Sequence, residues 1–373
     1  LYNRAGLPAT PFAYFDGEQL FVEDTPEAIA AAGAAELVAL NPPEPAPYLR
    51  VMSLYRDRAV IQRDEPISVW GFALPGTKVT VTFDDQTKTA VAGEFAQWEV
   101  RLDPMSTSIE GRDLIVACDN GPTKTVRDIV IGDVWVLTGT SRITSEVALP
   151  RDPETEQPEA MPLVREFRLK TNTRRFSTPR KQNLEIGGDF RYQAFWRPVI
   201  FEELDSDTTT AAYYFAQQVH EENVPLGIIS LGADNPPLTW ISYDALQTAP
   251  GFEVDRDVIN LAYPNTDSCK VAVEGYITTI QLYNRKIATF LNAGIEPPEE
   301  LIDTPPAFPA PDYDQWSNDT ETATYTYNFC ISPLTPFAVR GVAWIPSEAN
   351  IGEDASRYSA GLSAYAKSLA DTY

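Results

Sequence analysis

Residues 131–146 read IGDVWVLTGTSRITSE. An apolar run from Ile129 to Leu137 passes through Thr138-Gly139-Thr140 into a small polar turn carrying Ser141. A run so evenly apolar reads as a strand covered on both faces, as in a parallel sheet. Three readings fit the way it ends. Thr138-Gly139-Thr140 can be the turn that any strand needs, or Ser141 can cap the segment that follows. In the third, the Ser141 hydroxyl sits at the carboxyl end of a strand of an α/β layer, where such folds place a nucleophile or a ligand. Gly-Thr-Ser does not separate these readings by itself, so the surrounding chain has to.

The chain has 373 residues, of which 43% are hydrophobic and 11% aromatic, so it can fill more than one core, given roughly 150 residues per domain. Its 53 acidic and 29 basic residues give a net charge of −24. Such a field repels nucleic acid and anionic lipid, and neither is expected as a partner. No apolar run reaches the ~20 residues that a bilayer span requires. The opening LYNRAGLPATPF lacks the basic start and apolar core of a signal peptide, so the chain reads as soluble and a processed product stays open. Cys118, Cys269 and Cys330 stand far apart, with no close Cys or His neighbours. They form no zinc pattern, no cofactor is expected, and all three read as buried thiols. His220 is the one histidine. That scarcity limits the chemistry, because His is the commonest general base near neutral pH.

The organisation changes along the chain. Residues 1–47 read as an amino-terminal extension, with an alanine-rich helix over Pro26 to Leu40 and a Pro-rich linker. Residues 48–128 alternate short β-rich runs with turns at LPGT, FDDQ and CDNGP, the pattern of an antiparallel β-sandwich. From residue 129 to 373 strands alternate with helices: DIVIGDVWVLTG, TTAAYYFAQQVHEEN, VPLGIISLG, ITTIQLYNRKIATFLNAG, FAVRGVAWIP and DASRYSAGLSAYAKSLADTY. This implies crossovers and a parallel sheet with flanking helices. Residues 150–206 read as extended excursions and 293–325 as a long loop, both taken as insertions. The expected fold class is α/β plus all-β.

The run VMSLYRDRAVIQRDEPISVWGFALPGTKVTVTF followed by IGDVWVLTGTSR resembles the sandwich and first catalytic strand of the sialate O-acetylesterase family of SGNH hydrolases. AAYYFAQQVHEENVPLGIISLG and ISPLTPFAVRGVAWIPSEANIG are similar to its next two blocks, so the resemblance covers residues 48–373. It implies an SGNH-like α/β domain and removal of acetyl groups from sugars by a serine, with a histidine as base and a Gly and an Asn beside the serine amide holding the oxyanion. The family's serine block is Gly-Gln-Ser-Asn-Met, and GTSRI keeps Gly139 and Ser141. Its Trp-Gly-Gly-Thr turn is represented by SLGADNPPLTW, which puts Ala233 or Asp234 at the oxyanion glycine. Its Trp-Tyr-Gln-Gly-Glu-Ser-Asn block is represented by WIPSEAN, which keeps Trp344, Glu348 and Asn350 and has Ser347 for a glycine. The resemblance thus implies Ser141 as a vestigial nucleophile, Asn350 as a vestigial oxyanion donor, and Gly139, Ala233, Asp234 and Glu348 as ligand-facing residues.

The family's catalytic histidine belongs to an Asp-x-x-His segment beyond the helix at which this chain stops. His220, beside Glu221 and Glu222, reads as an exposed structural histidine at a helix carboxyl end. The amino-terminal LYNRAGLPATPF resembles the segment that closes the family's catalytic domain. Its place ahead of the sandwich implies a preceding esterase domain or a permuted order, while an accidental Pro-rich extension is the plain alternative. The favoured function is a degenerate esterase-like protein with a structural, assembly or carbohydrate-binding role. The alternative is an active carbohydrate acetylesterase completed by a His from outside the chain. A glycosidase would need two opposed carboxylates, and nothing singles out a pair among 53 acidic residues. Expected partners are another protein chain or a neighbouring esterase-like domain, with residues 1–15 at or near the interface. Carbohydrate is a further candidate partner, through Trp70, Trp98 or Trp240 unless these are core. The resemblance implies an extracellular, cell-surface or periplasmic location.

Overall fold

The computed structural model describes residues 13–15, 20–22, 48–94, 96–119, 121–144, 161–169, 194–199, 209–261, 266–298, 301, 306 and 322–372, with backbone alone at 13–15, 20–22, 169, 194 and 349. The helix expected over Pro26 to Leu40 and the linker after it lie outside the described residues, as do most of 150–206 and 299–321. The chain divides into two compact units, 1–48 and 49–373. In the first, β1 (Ala13–Phe15) and β2 (Leu20–Val22) pair antiparallel.

The second unit is mixed α/β. A three-stranded antiparallel sheet places β5 (Ile67–Ala73) between β3 (Leu49–Val51) and β8 (Gln97–Leu102). The sequence QWEVRL makes β8 a strand by strict alternation: Trp98, Val100 and Leu102 turn inward and the residues between them face water. Among the described residues the larger sheet has nine strands, seven of them in the order β12 (Ala194–Val199), β11 (Met161–Leu169), β13 (Leu226–Gly232), β10 (Thr123–Gly139), β9 (Ser108–Cys118), β6 (Lys78–Phe83) and β7 (Gln86–Val91). Two further strands, β4 (Val60–Gln62) and β14 (Gly341–Ile345), also pair with β10.

Strand β10 joins the two patterns read from the sequence. Its first part pairs antiparallel with β9 and parallel with β4. Its second part lies parallel to β13, from Asp133↔Leu226 to Gly139↔Gly232, and parallel to β14, from Trp135↔Gly341 to Gly139↔Ile345. The boundary expected between residues 128 and 129 therefore falls inside one continuous strand. Strand continuity follows from burial: Ile129, Val130, Ile131, Val134, Val136 and Leu137 are all inside the core, and a segment apolar on both faces gains by running through the middle of a sheet. Of the segments read as extended excursions, LVREFRLK forms most of β11 and RYQAFWRPV contains β12, and both are strands of this same sheet. β11 runs parallel to β13, and β12 returns antiparallel at the edge.

Helices flank the sheet. α1 (Thr210–Val219) turns Ala212, Tyr213 and Ala216 inward, and the Thr209 side chain accepts a hydrogen bond from the Ala212 N–H as its cap. α2 (Tyr243–Thr248) is capped in the same way by Ser242. α3 (Glu253–Leu261) follows, then α4 (Asp267–Asn292), which begins well before the stretch expected to be helical because Thr266 caps it there. α5 (Ala355–Thr372) buries Gly361, Ala364, Tyr365 and Ser368. One buried polar cluster locks α1 to the sheet. Glu166 of β11 accepts hydrogen bonds from the Thr209 N–H (2.9 Å), the Thr209 hydroxyl (2.7 Å) and the Ser230 hydroxyl (2.5 Å).

Two expectations are corrected by packing, and the core reading of two tryptophans is met. Cys118 and Cys330 are buried, but Cys269 is only half-buried on α4, because none of that helix's side chains is fully covered. His220 is half-buried, with a buried Nε2 that has no hydrogen-bond partner among the described residues, so it is not an exposed histidine. Trp98 and Trp240 are core residues, which removes them as sugar-stacking faces, and Trp70 is half-buried against Tyr55.

Candidate functional site

Strands β13, β10 and β14 end on one rim, because Gly139 is level with both Gly232 and Ile345. At Gly139 the backbone takes φ +112° and passes so close to β14 that a β-carbon would overlap the Ile345 carbonyl oxygen. Only glycine meets both conditions. The neighbouring backbone bonds seal the rim: the Thr140 N–H donates to Ile345 O (2.9 Å) and the Ala233 N–H to Gly139 O (2.7 Å). The strand therefore stops at a glycine crossing, and Ser141 opens the 3-10 turn Ser141–Thr144 just above the sheet.

Asp234, two residues past β13, is the hub of this rim. Its Oδ1 accepts the Ser141 N–H (2.9 Å), the Thr140 hydroxyl (3.1 Å) and the Ser347 hydroxyl (2.6 Å). Its Oδ2 accepts the Ser141 hydroxyl. Partial desolvation works to raise the Asp234 pKa, but the hydrogen bonds from Ser141, Ser347 and Thr140 together outweigh it and hold the carboxyl below its ordinary value. The charged form is the stable one, and a carboxylate so stabilised is a poor acceptor for a serine proton at neutral pH.

The other expected residues stand around this hub. Arg142 pairs with Glu348 at 2.7 Å, both side chains 70% exposed. Asn350 closes the short turn after β14, its N–H donating to Ser347 O (3.2 Å), and its buried Oδ1 has no hydrogen-bond partner among the described residues. Ala233 spends its N–H on Gly139 and does not present it to the site. Behind the rim, Trp344 donates from Nε1 to the Tyr358 hydroxyl (3.1 Å) and packs edge-on against Trp240 and Tyr365, which seats α5 beneath the turn. Ser141, Gly139, Ala233, Asp234, Glu348 and Asn350 are thus at one end of the sheet.

His220 is at the other. It is the carboxyl cap of α1, ahead of the first residue of β13, and its neighbour Glu221 reaches Arg63, which also binds Asp133 at the start of the β10–β13 ladder. The length of β13, at ~3.3 Å per residue, puts roughly 20 Å between the two rims. Sequence reasoning missed Thr140 as a ligand of Asp234 and took Ser347 only as a replaced glycine. The available signal was the short hydroxyls just past the ends of two adjacent parallel strands. Among the described residues no group of three or more His, Cys, Asp or Glu side chains is placed to hold a metal ion, and no helix is long and apolar enough to cross a membrane.

The sequence matches no protein-family model and no curated protein. An endo-beta-1,4-mannanase from Thermotoga petrophila overlaps 35% of this chain and 28% of its own at 13% identity with a TM-score of 0.19, too slight to bear on the fold. The chain is similar to the crystal structure of a novel carbohydrate acetylesterase from Xanthomonas citri, with a TM-score of 0.57 and 20% identity over 88% of this chain. It spans 58% of the length of that protein, and the likeness establishes a shared esterase-like fold.

Proposed function

We propose that the chain is a catalytically degenerate relative of the sialate O-acetylesterases, serving as a structural, assembly or carbohydrate-binding component. The observation that carries this reading is the Asp234 carboxylate, which takes both the hydroxyl and the amide hydrogen of Ser141. In an acyl-transfer site that hydroxyl would attack a carbonyl and that amide would face the developing oxyanion. A fixed negative charge in the same place opposes both. The single histidine of the sequence, at the opposite rim, leaves Ser141 without an imidazole from this chain. The likeness in fold to a carbohydrate acetylesterase supports the ancestry, with residues 48–128 read as a sandwich, 129–373 as an SGNH-like domain and 1–47 as an extension. In this reading Ser141 and Asn350 are vestigial, Gly139, Ala233, Asp234 and Glu348 line the former ligand site, and residues 1–15 lie at an interface with another chain or a neighbouring esterase-like domain. The location is extracellular, at the cell surface or periplasmic.

The test is acetate release from an activated acetyl ester, comparing the native chain with Ser141→Ala. Equal, background-level rates are expected. Turnover that Ser141→Ala abolishes would refute the proposal. A second reading, an acetylesterase completed by a histidine from outside, is favoured by the retention of Ser141 and Asn350 on one rim. It predicts that Ser141-dependent release appears only when the completing polypeptide is present.

A further inference from the structure

Asp234 is anchored far more heavily than an ordinary surface carboxylate. Its two oxygens accept four hydrogen bonds, from one N–H and three hydroxyls, and these donors belong to two chain segments, the turn after β10 and the turn after β14. Asp234 itself follows β13, so one carboxylate ties together the ends of three adjacent strands. Donors that converge on an anion form its binding site whichever chain the anion is attached to, and each bond to a charged acceptor is stronger than its neutral counterpart. The Asp side chain beyond Cα is a methylene and a carboxylate, which is acetate less one hydrogen. Its outer side is open to solvent, which leaves a route for exchange once the tether is gone.

We propose that Thr140, Ser141 and Ser347 form a receptor for a small monocarboxylate, that Asp234 fills it from within the chain as a latch across three strand ends, and that free acetate takes its place when the Asp234 side chain is removed. This inference does not depend on whether the chain hydrolyses esters, since it concerns only how the donors are satisfied. It explains why a solvent-facing turn keeps a carboxylate with so many donors. They are matched to one anion, and the anion is covalently supplied.

The experiment measures the thermal midpoint of the full chain as native protein, Asp234→Gly and Asp234→Asn, in sodium acetate against sodium chloride at equal ionic strength. A ligand that binds only the folded state raises the midpoint in step with its concentration. Acetate is expected to raise the midpoint of Asp234→Gly, and to leave native protein and Asp234→Asn unchanged, because their own side chains fill the space. Acetamide, of the same shape without charge, is expected to do nothing, and adding Ser347→Ala to Asp234→Gly should weaken the response to acetate. An Asp234→Gly midpoint that is indifferent to acetate, or that acetamide raises equally, overturns the proposal. If Asp234→Gly yields no folded protein in chloride, refolding in acetate reads the same site. Recovery of folded chain supports the receptor, and equal failure in both salts overturns it.

Discussion

Gly139→Ala is the most informative single change at the rim, because two separate penalties meet there. The residue sits at φ +112°, and a left-handed backbone costs a residue with a β-carbon about 1–2 kcal/mol. The new methyl would also overlap the Ile345 carbonyl oxygen, which is held in place by the Thr140 N–H. Backbone cannot rotate aside as a side chain can, and overpacking of this kind costs about 1–3 kcal/mol. Together the loss is about 4 kcal/mol, a large part of the ~5–15 kcal/mol that holds a native domain together, and about a thousandfold in the folding equilibrium. Gly251→Ala separates the two contributions, since φ there is +81° but nothing lies near the added carbon. It should lose only the strain, about 1 kcal/mol. Urea unfolding of native protein and both variants, followed by tryptophan fluorescence, measures the difference. If Gly139→Ala lost no more than Gly251→Ala, the close crossing of β10 and β14 would not be what ends the strand, and the account of the rim would fail.

Glu166→Ala should destabilise by about 3–5 kcal/mol, because it strips the acceptor from three donors and leaves the fully buried Thr209 and Ser230 unsatisfied. A loss under about 1 kcal/mol in urea unfolding would contradict the proposed lock between α1 and the sheet. The pH dependence has a definite sign. Burial raises the Glu166 pKa above 4.5, outweighing its hydrogen bonds, so its linkage contribution is complete below 4.5 and is lost as pH rises through the folded-state value. The cost of Glu166→Ala should therefore be larger near pH 4.5 than in mildly alkaline buffer. Asp234 acts in the opposite sense: its lowered pKa contributes stability that is present above 3.8 and lost as pH falls through the folded-state value, a limb that Asp234→Asn should remove from acid titrations of stability. Arg142→Ala breaks a pair whose members are both 70% exposed, and it should change stability by less than about 1 kcal/mol. A larger loss would mean that Arg142 holds the rim together.

Strand and helix were legible wherever side-chain period reported them. QWEVRL alternates and is a half-buried strand, VPLGIISLG is apolar but for Ser230 and contains a central parallel strand, and the run up to Gly139 belongs to β10. LVREFRLK and RYQAFWRPV were not recognised as sheet strands, because pairing is a relation between distant segments and Arg165, Glu166 and Arg168 disguise an otherwise apolar run. Glu166 shows the difficulty most clearly. In sequence it is one of 53 acidic residues, and only the approach of Thr209 and Ser230 makes it an internal anchor.

By itself, the sequence determined that an apolar strand ends at a glycine, that Ser141 lies two residues beyond it, that these 373 residues hold one histidine, and that their net charge is −24. These are properties of composition and of neighbours in the chain, where sterics and hydropathy act over a few residues. Only the tertiary structure decided that Asp234 takes the Ser141 hydroxyl and amide, that Ser347 joins it, and that His220 lies at the far rim. Asp234 and Ser347 stand 113 residues apart, and a hydrogen bond acts over about 3 Å. The register of β13 and β14 on β10, fixed by burial along the whole sheet, is what brings them within that reach.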